Sequence, residues 1–431
     1  MRILICGAAG FIGSHLAAHF RALGHDVRAA ARRTGEARQR LPGYEWIECD
    51  FRHDREADWH PRLDGVDAVI NCVGVLQDGL GENSRAVHVD GAAALFRACE
   101  QAGVRRVIHI SAVGADSEAQ SSYADDKLAG ESALKALDLD WVILRPSLVI
   151  ARNTYGGTSL IRALAGLPWI SPLVGATQRF RPVMMPDLCA AVEECLAPDA
   201  AVRQSFDVGG KTELSMADIL RAYRRWLGFG PSWVVDIPAS LARPAFWFGD
   251  LLGWLGVRTS LRSNSLKQLQ YDVAGHPEAW LAQTRIEPKS LDQFLDQSPA
   301  GIADKWQARL GFARPVARFI LGLFWLVSGL IALSAGRVEA LAYLESVGVT
   351  AGMGEGVLWS TSLFDIALGL AMLVNWRTGW VAGLMIAGTL AYVAAITVLL
   401  PALWAEPLGP VVKVFPGMAL ALLIAATQDE R

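Results

Sequence analysis

The sequence predicts a chain of two kinds of structure: an α/β unit built on a doubly wound parallel sheet with a smaller lobe, then an all-α membrane unit of four helices. Three observations carry this. Short apolar runs alternate with helical stretches over the first 150 residues, the pattern of a parallel sheet covered on both faces. A glycine-rich turn opens the first of those helices. Composition then changes near Pro315: residues 315–431 carry only 12 charged side chains, in a chain whose residues are 52% hydrophobic.

The elements follow in order. Arg2–Cys6 is a short buried strand, and Phe11–Leu23 has helical spacing closed by Gly24. His25–Ala31 and Glu45–Cys49 are the second and third strands, and Ala68–Val73 the fourth. Ala86–Ala102 is a helix, Arg106–Ser111 the fifth strand, Tyr123–Leu137 a helix and Trp141–Leu144 the sixth strand. Residues 151–310 form the smaller lobe, with turns at Pro168, Pro172, Pro182 and Pro186 and helices over Asp187–Leu196 and Met216–Leu227. Its last part, residues 231–310, is rich in Trp and Leu with charges between them. That composition suits amphipathic helices that pack on a core or lie against a bilayer.

Residues 311–431 hold four candidate spans: Pro315–Ala335, Val357–Val374, Gly379–Leu400 and Val411–Ala426. A hydrocarbon core needs about 20 apolar residues per helix, and the last span is near the short limit. Several of Trp325, Trp359, Trp376, Trp380 and Trp404 stand near span ends, as an interfacial belt requires. Arg309, Arg314, Arg318 and Arg377 put positive charge on the side of the N-terminal unit. The expectation is a protein of the inner (cytoplasmic) membrane, with its N-terminal unit and C-terminus in the cytoplasm. Asp365 is the one acid deep inside a span and must be hydrogen-bonded or face a polar interior.

A net charge of −3 with no run of Lys or Arg argues against a nucleic-acid partner. The six cysteines show no C-x-x-C pair, so neither a metal site nor a redox pair is expected, and a reduced compartment fits. The first residues open into a glycine turn and do not read as a signal peptide.

The turn is Gly7-Ala-Ala-Gly10-Phe11-Ile12-Gly13. Glycines there let backbone approach a pyrophosphate, whose charge the helix N-terminus favours. The fold expected is therefore of Rossmann type, and the cofactor a pyridine dinucleotide. Its choice falls to the second strand. An Asp or Glu at that strand's end would hold a ribose 2′-hydroxyl, but Arg32 and Arg33 stand there. Arginine forks pair with a 2′-phosphate, so NADP(H) is favoured over NAD(H); the alternative is that both are solvated loop charges. Asp50 and Phe51, after the third strand, are expected to border the adenine.

The G-x-x-G-x-x-G spacing, Asn71-Cys-Val-Gly74 after the fourth strand and Tyr123-Ala-Asp-Asp-Lys127 resemble the short-chain dehydrogenase/reductase superfamily. The run from Glu100 to Ser111, Gly130-Glu131, Leu144-Arg-Pro-Ser147, Pro182–Asp187 and Phe206–Gly210 resembles its atypical branch, which includes an accessory nucleotide-binding subunit of respiratory complex I. The four-span pattern with Gly409-Pro-Val-Val-Lys413 resembles the DoxX-like family. Tyr123 and Lys127, four apart, share one helix face and suit a tyrosine acid/base beside an ammonium that lowers its pKa. The resemblance implies that Lys127 also binds the nicotinamide ribose and that Ser111 orients a substrate carbonyl. It implies an NADPH-dependent reductase of a small lipophilic carbonyl or quinone-like substrate. The alternatives are a non-catalytic nucleotide sensor or assembly factor for a membrane complex, and an NADPH-regulated carrier. Ser111-Ala-Val-Gly departs from the serine-rich signature of the sugar-nucleotide members, which keeps these alternatives open.

Overall fold

Strand alternation places the core. In the strand Arg2–Cys6 (β1), Ile3 and Ile5 face one layer of helices and Leu4 and Cys6 the other, and all four are fully buried. Parallel neighbours follow the same rule: Asp26–Ala31 (β2), Glu45–Glu48 (β3), Ala68–Asn71 (β4), Arg106–Ile110 (β5) and Asp140–Pro146 (β6). The sheet order is Gln204–Val208, β6, β5, β4, β1, β2, β3. This is the doubly wound order, reversing between β1 and β4, where a ligand crevice opens beyond the strand C-termini. The computed structural model describes residues 1–75, 83–114, 122–254, 272–407 and 409–428.

The helices over Phe11–Ala22 and Met185–Glu194 cover one face, and those over Ala92–Ala102 and Ser122–Lys135 the other. β4 ends at Asn71, two residues before expectation, because the Asn71 side chain accepts the Val73 N–H (3.1 Å) and turns the chain out of the sheet. The strand Gln204–Val208 pairs with β6 although it lies beyond residue 150. The expected boundary at 150 is therefore no break in packing: residues 1–254 and 272–308 belong to one unit. The smaller lobe adds three two-stranded ladders around a core that includes Ile219, Leu220 and Tyr223. Part of its expected Trp- and Leu-rich stretch, residues 255–271, lies outside the described residues.

The second unit begins at Arg309. The first expected span is the later part of one helix, Ile302–Leu333, which keeps Pro315 inside it. The helix Arg337–Ser346 occupies the expected first loop, and the helices Ala351–Leu373 and Thr378–Leu399 follow. Among the described residues, three helices are long and apolar enough to cross a membrane. The fourth, Val414–Ala426, has 13 residues and is about 20 Å long. Gly322 and Gly369 let two helices touch: a Cβ on Gly369 would stand 2.5 Å from Leu326 N.

Candidate nucleotide site

Each glycine of the turn has a separate steric reason. Gly7 sits in the left-handed region (φ +78°), and a Cβ there would come 3.1 Å from the Cys72 carbonyl. A Cβ on Gly13 would run into the Gly7 carbonyl, so helix and turn pack backbone to backbone. Gly10 is the N-cap of the helix Phe11–Ala22 and supplies no capping side chain, and the first turn carries no acid. The amide donors at that helix start are thus left to an anion. Phe11 and Ile12 are half-buried, and Phe11 stacks on Tyr155 at 6.1 Å.

The expected adenine end is partly corrected. Arg32 and Arg33 do lie just past β2, and Arg33 reaches Glu36 at 3.4 Å across an exposed surface. Asp50 follows β3 and is held by Arg52, whose guanidinium brings the carboxyl down to about 2. Phe51 does not border the site with its ring. The ring is 4% exposed and packs edge-on against Trp59, because the chain turns inward after β3 and the second core layer takes it.

The expected reaction end gathers at the C-terminal ends of β4 and β5. Tyr123 and Lys127 stand one turn apart on the helix Ser122–Lys135. Lys127 is buried and its Nζ donates to the Ile110 carbonyl (3.2 Å), next to Ser111 at the end of β5. Burial pulls its ammonium down to about 8, against the pull of Glu131 and Cys72. Gly74 closes over it: a Cβ there would stand 3.9 Å from Lys127 Nζ and 3.6 Å from His88 Cε1. The Ser111 hydroxyl is buried and makes no hydrogen bond among the described residues, yet it lies close enough to Glu131 to help hold that carboxyl down. Burial pushes the Tyr123 phenol up to about 12, and the Lys127 ammonium lies 6.0 Å from its ring centroid.

Two features escaped the sequence. His88 is buried, with Nε2 2.9 Å from the Val75 carbonyl oxygen and its ring edge-on to Tyr123 at 5.5 Å. Burial and the Lys127 charge push it down to about 2, so it is neutral. It sits on a π-helical turn, Ala86–Gly91, a wide turn often found at functional sites and invisible to helical periodicity. Beneath the site, Glu131 takes a bidentate pair from Arg145 (2.8 and 2.6 Å), and its side chain is fully buried. Burial alone would raise that carboxyl; Arg145, then Ser111, hold it below its ordinary value. Gly130-Glu131 and Leu144-Arg145 were the signal, noted only as resemblance.

A family described as NAD(P)H-binding matches residues 7–163, and the DoxX-like family matches residues 322–422. The chain is 22% identical over 249 residues to the NADH-ubiquinone oxidoreductase 40 kDa subunit of Neurospora crassa, across 58% of this chain and 64% of that protein. It thus spans less than two thirds of that relative's length. It is 27% identical over 231 residues to a ceramide reductase of Caulobacter vibrioides, across 53% of this chain and 71% of the relative. The UDP-glucose 4-epimerase of Thermus thermophilus, solved with NAD, shares the fold with a TM-score of 0.52 at 20% identity, over 68% of this chain and 96% of that one. Residues 7–163 thus match an NAD(P)H-binding family within a Rossmann-type fold, and residues 322–422 match a DoxX-like family in the same membrane-associated chain.

Proposed function

We propose that this protein is a membrane-bound, NADPH-dependent reductase of a small lipophilic carbonyl or quinone-like substrate. The observation that carries it is the buried Lys127, tied to the Ile110 carbonyl between Gly74 and Ser111 and one turn from Tyr123. The glycine turn would hold the pyrophosphate, Lys127 the nicotinamide ribose, and Arg32 with Arg33 a 2′-phosphate. Bound NADPH supplies the hydride. Tyr123 donates the proton; with its phenol pushed up to about 12 it stays protonated at neutral pH, which suits an acid in the reducing direction. Ser111, buried at the end of β5 beside Glu131, orients the substrate oxygen. The relative named as a ceramide reductase supports a lipophilic substrate.

The membrane topology we propose has four spans, in the inner membrane, with both termini cytoplasmic. Arg318 reaches Asn375 (2.6 Å) beside Arg377, so the basic residues of two segments share one end of the helical unit. Tyr343 and Glu406 meet at 3.5 Å, and Gly379 packs on Gln428, as alternate crossings require. The lipid bilayer and a membrane protein partner complete the proposed surroundings.

The test is hydride transfer by the purified full chain, followed as NADPH oxidation against a panel of lipophilic ketones and quinones. Tyr123→Phe keeps NADPH bound and lowers turnover by about 10²–10⁴-fold, the contribution of a positioned acid. Wild-type turnover falls as pH rises through about 8, where Lys127 loses its proton. Full activity in Tyr123→Phe removes tyrosine from the mechanism.

A further inference from the structure

The outward face of one small ladder breaks the usual rule for strands at a water surface. Ile170–Leu173 pairs in parallel with Trp233–Asp236, with Ile170 beside Trp233 and Pro172 beside Val235. Ser171 and Leu173 point inward and are buried. The positions pointing outward should be polar, yet they are Ile170, Pro172, Trp233 and Val235, and Trp169 precedes them. Trp169 is 81% exposed and Trp233 78%. Two nearly bare tryptophans on one small face are a concentration of apolar surface that soluble proteins avoid unless something binds it.

This face is also built, not frayed. Trp169 holds a left-handed backbone (φ 53°), an uncommon conformation for a bulky residue that persists only where its surroundings impose it. Arg224 imposes it. Its buried guanidinium donates to the carbonyls of Ala165 (2.8 Å) and Leu167 (2.7 Å) on the loop before Trp169. It also donates to the carbonyl of Gly230 (2.5 Å) on the loop before Trp233. The Trp233 amide donates to the Trp169 carbonyl (2.8 Å), and the hydroxyls of Ser171 and Ser232 bond at 2.8 Å. One buried arginine thus fixes both loops so that both indoles stand outward.

We infer that this face docks on the lipid–water interface of the membrane that the chain's own apolar helices enter. Trp is the residue type enriched at that interface, where its indole meets both acyl chain and headgroup. Ile170, Pro172 and Val235 beside them are apolar and uncharged, as shallow insertion requires, with Asp236 at the far end of the ladder. The chain supplies the proximity itself, since the same polypeptide continues into membrane-spanning helices. The inference rests on that membrane association and not on the reductase chemistry.

The test uses the full chain in phosphatidylcholine nanodiscs. W169C and W233C are labelled with a polarity-sensitive fluorophore, with the exposed Ala201→Cys as the reference site and the unsubstituted chain as background for the native cysteines. Labels at 169 and 233 should emit to the blue of the label at 201. Nitroxide-bearing lipids should quench them at least fivefold more strongly. Equal quenching at all three sites overturns the inference. So does a blue shift without lipid quenching, which means that a protein surface covers the face. NADPH titration of the same samples reports on the nucleotide site separately, so docking stands or falls on the quenching alone.

Discussion

The two units of this chain are built from similar apolar side chains used in opposite ways. In the first, Ile3, Leu4, Ile70, Ile108 and Leu144 are fully buried, and Trp169 and Trp233 are the most exposed of the exceptions. In the second, Phe319, Ile320, Leu323, Phe324, Leu363 and Leu390 are exposed, and only 22–28% of each long apolar stretch is buried. Water selects burial in the first case; in the second an apolar solvent removes the need for it. What holds the helices of the second unit together is therefore close contact at small residues, as at Gly322 and Gly369, more than apolar area. Each unit also buries a carboxylate that accepts hydrogen bonds. Glu131 does so in the first, and in the second Asp365 accepts from the Tyr392 hydroxyl (2.9 Å).

The contrast is tested most severely at Glu131. Removing its carboxylate takes away the bidentate partner of the buried Arg145, whose guanidinium lies 3.9 Å from Asp207. Breaking a buried pair this way costs about 3–5 kcal/mol. Glu131→Leu should lower the unfolding midpoint of the nucleotide-binding unit and its NADPH occupancy together, while helicity of the membrane unit in detergent persists. An unchanged midpoint would mean that the pair contributes nothing net to the unit.

How much of this was legible in the sequence follows from the same physics. The central strands β1, β4, β5 and β6 and the glycine turn could be read because burial on both faces leaves apolar runs, and because Gly7 and Gly13 admit no other residue. The seventh strand, Gln204–Val208, could not: it is an edge strand with only Phe206 and Val208 apolar and buried. His88 was hidden because a π-helical turn shifts the register that helical periodicity relies on. Thr361 stands one turn before Asp365 on the same helix, where a local partner would be expected. Thr361 instead bonds back to the Val357 carbonyl (2.9 Å), and Tyr392 arrives from another helix, a contact that no local pattern encodes.

The cofactor preference is of middle size and belongs to the first unit alone. Replacing Arg32 and Arg33 by Ala removes the proposed partners of a 2′-phosphate at the end of β2. Charge-assisted contacts contribute about 1.5–3 kcal/mol each. NADPH affinity, read by fluorescence titration, should fall by about two orders of magnitude or more, and NADH affinity should hold. The contact between Arg33 and Glu36 is exposed and weak, so its loss should move stability little. Equal losses for both cofactors would return these arginines to the solvent.

The smallest effect is expected at Asp365, and its smallness is what the comparison predicts. The carboxylate is half-buried, on the helix Ala351–Leu373, with Tyr392 on the helix Thr378–Leu399. A Cβ on Gly329 would stand 3.2 Å from Asp365 Cβ, so the third helix closes tightly over this level of the bundle. Removing the acid deletes one interhelical hydrogen bond without stranding a buried charge, unlike the deletion at Glu131. Such bonds average about 0.6 kcal/mol in membranes, because the separated helices also find partners. Asp365→Leu should therefore lower the thermal midpoint of the membrane unit only slightly, and Asp365→Asn, which still accepts from Tyr392, should not lower it at all. Substrate turnover in lipid nanodiscs separates the two roles open to this carboxyl. If the hydrogen bond is its whole role, Asn matches wild type. If Asn folds normally and turnover in lipid is lost while turnover of a water-soluble substrate is kept, the ionisable group itself serves the membrane reaction. A loss of several kcal/mol on Asp365→Leu would break the comparison, since it would show a charged carboxylate held as tightly among lipid-facing helices as Glu131 is beneath the sheet.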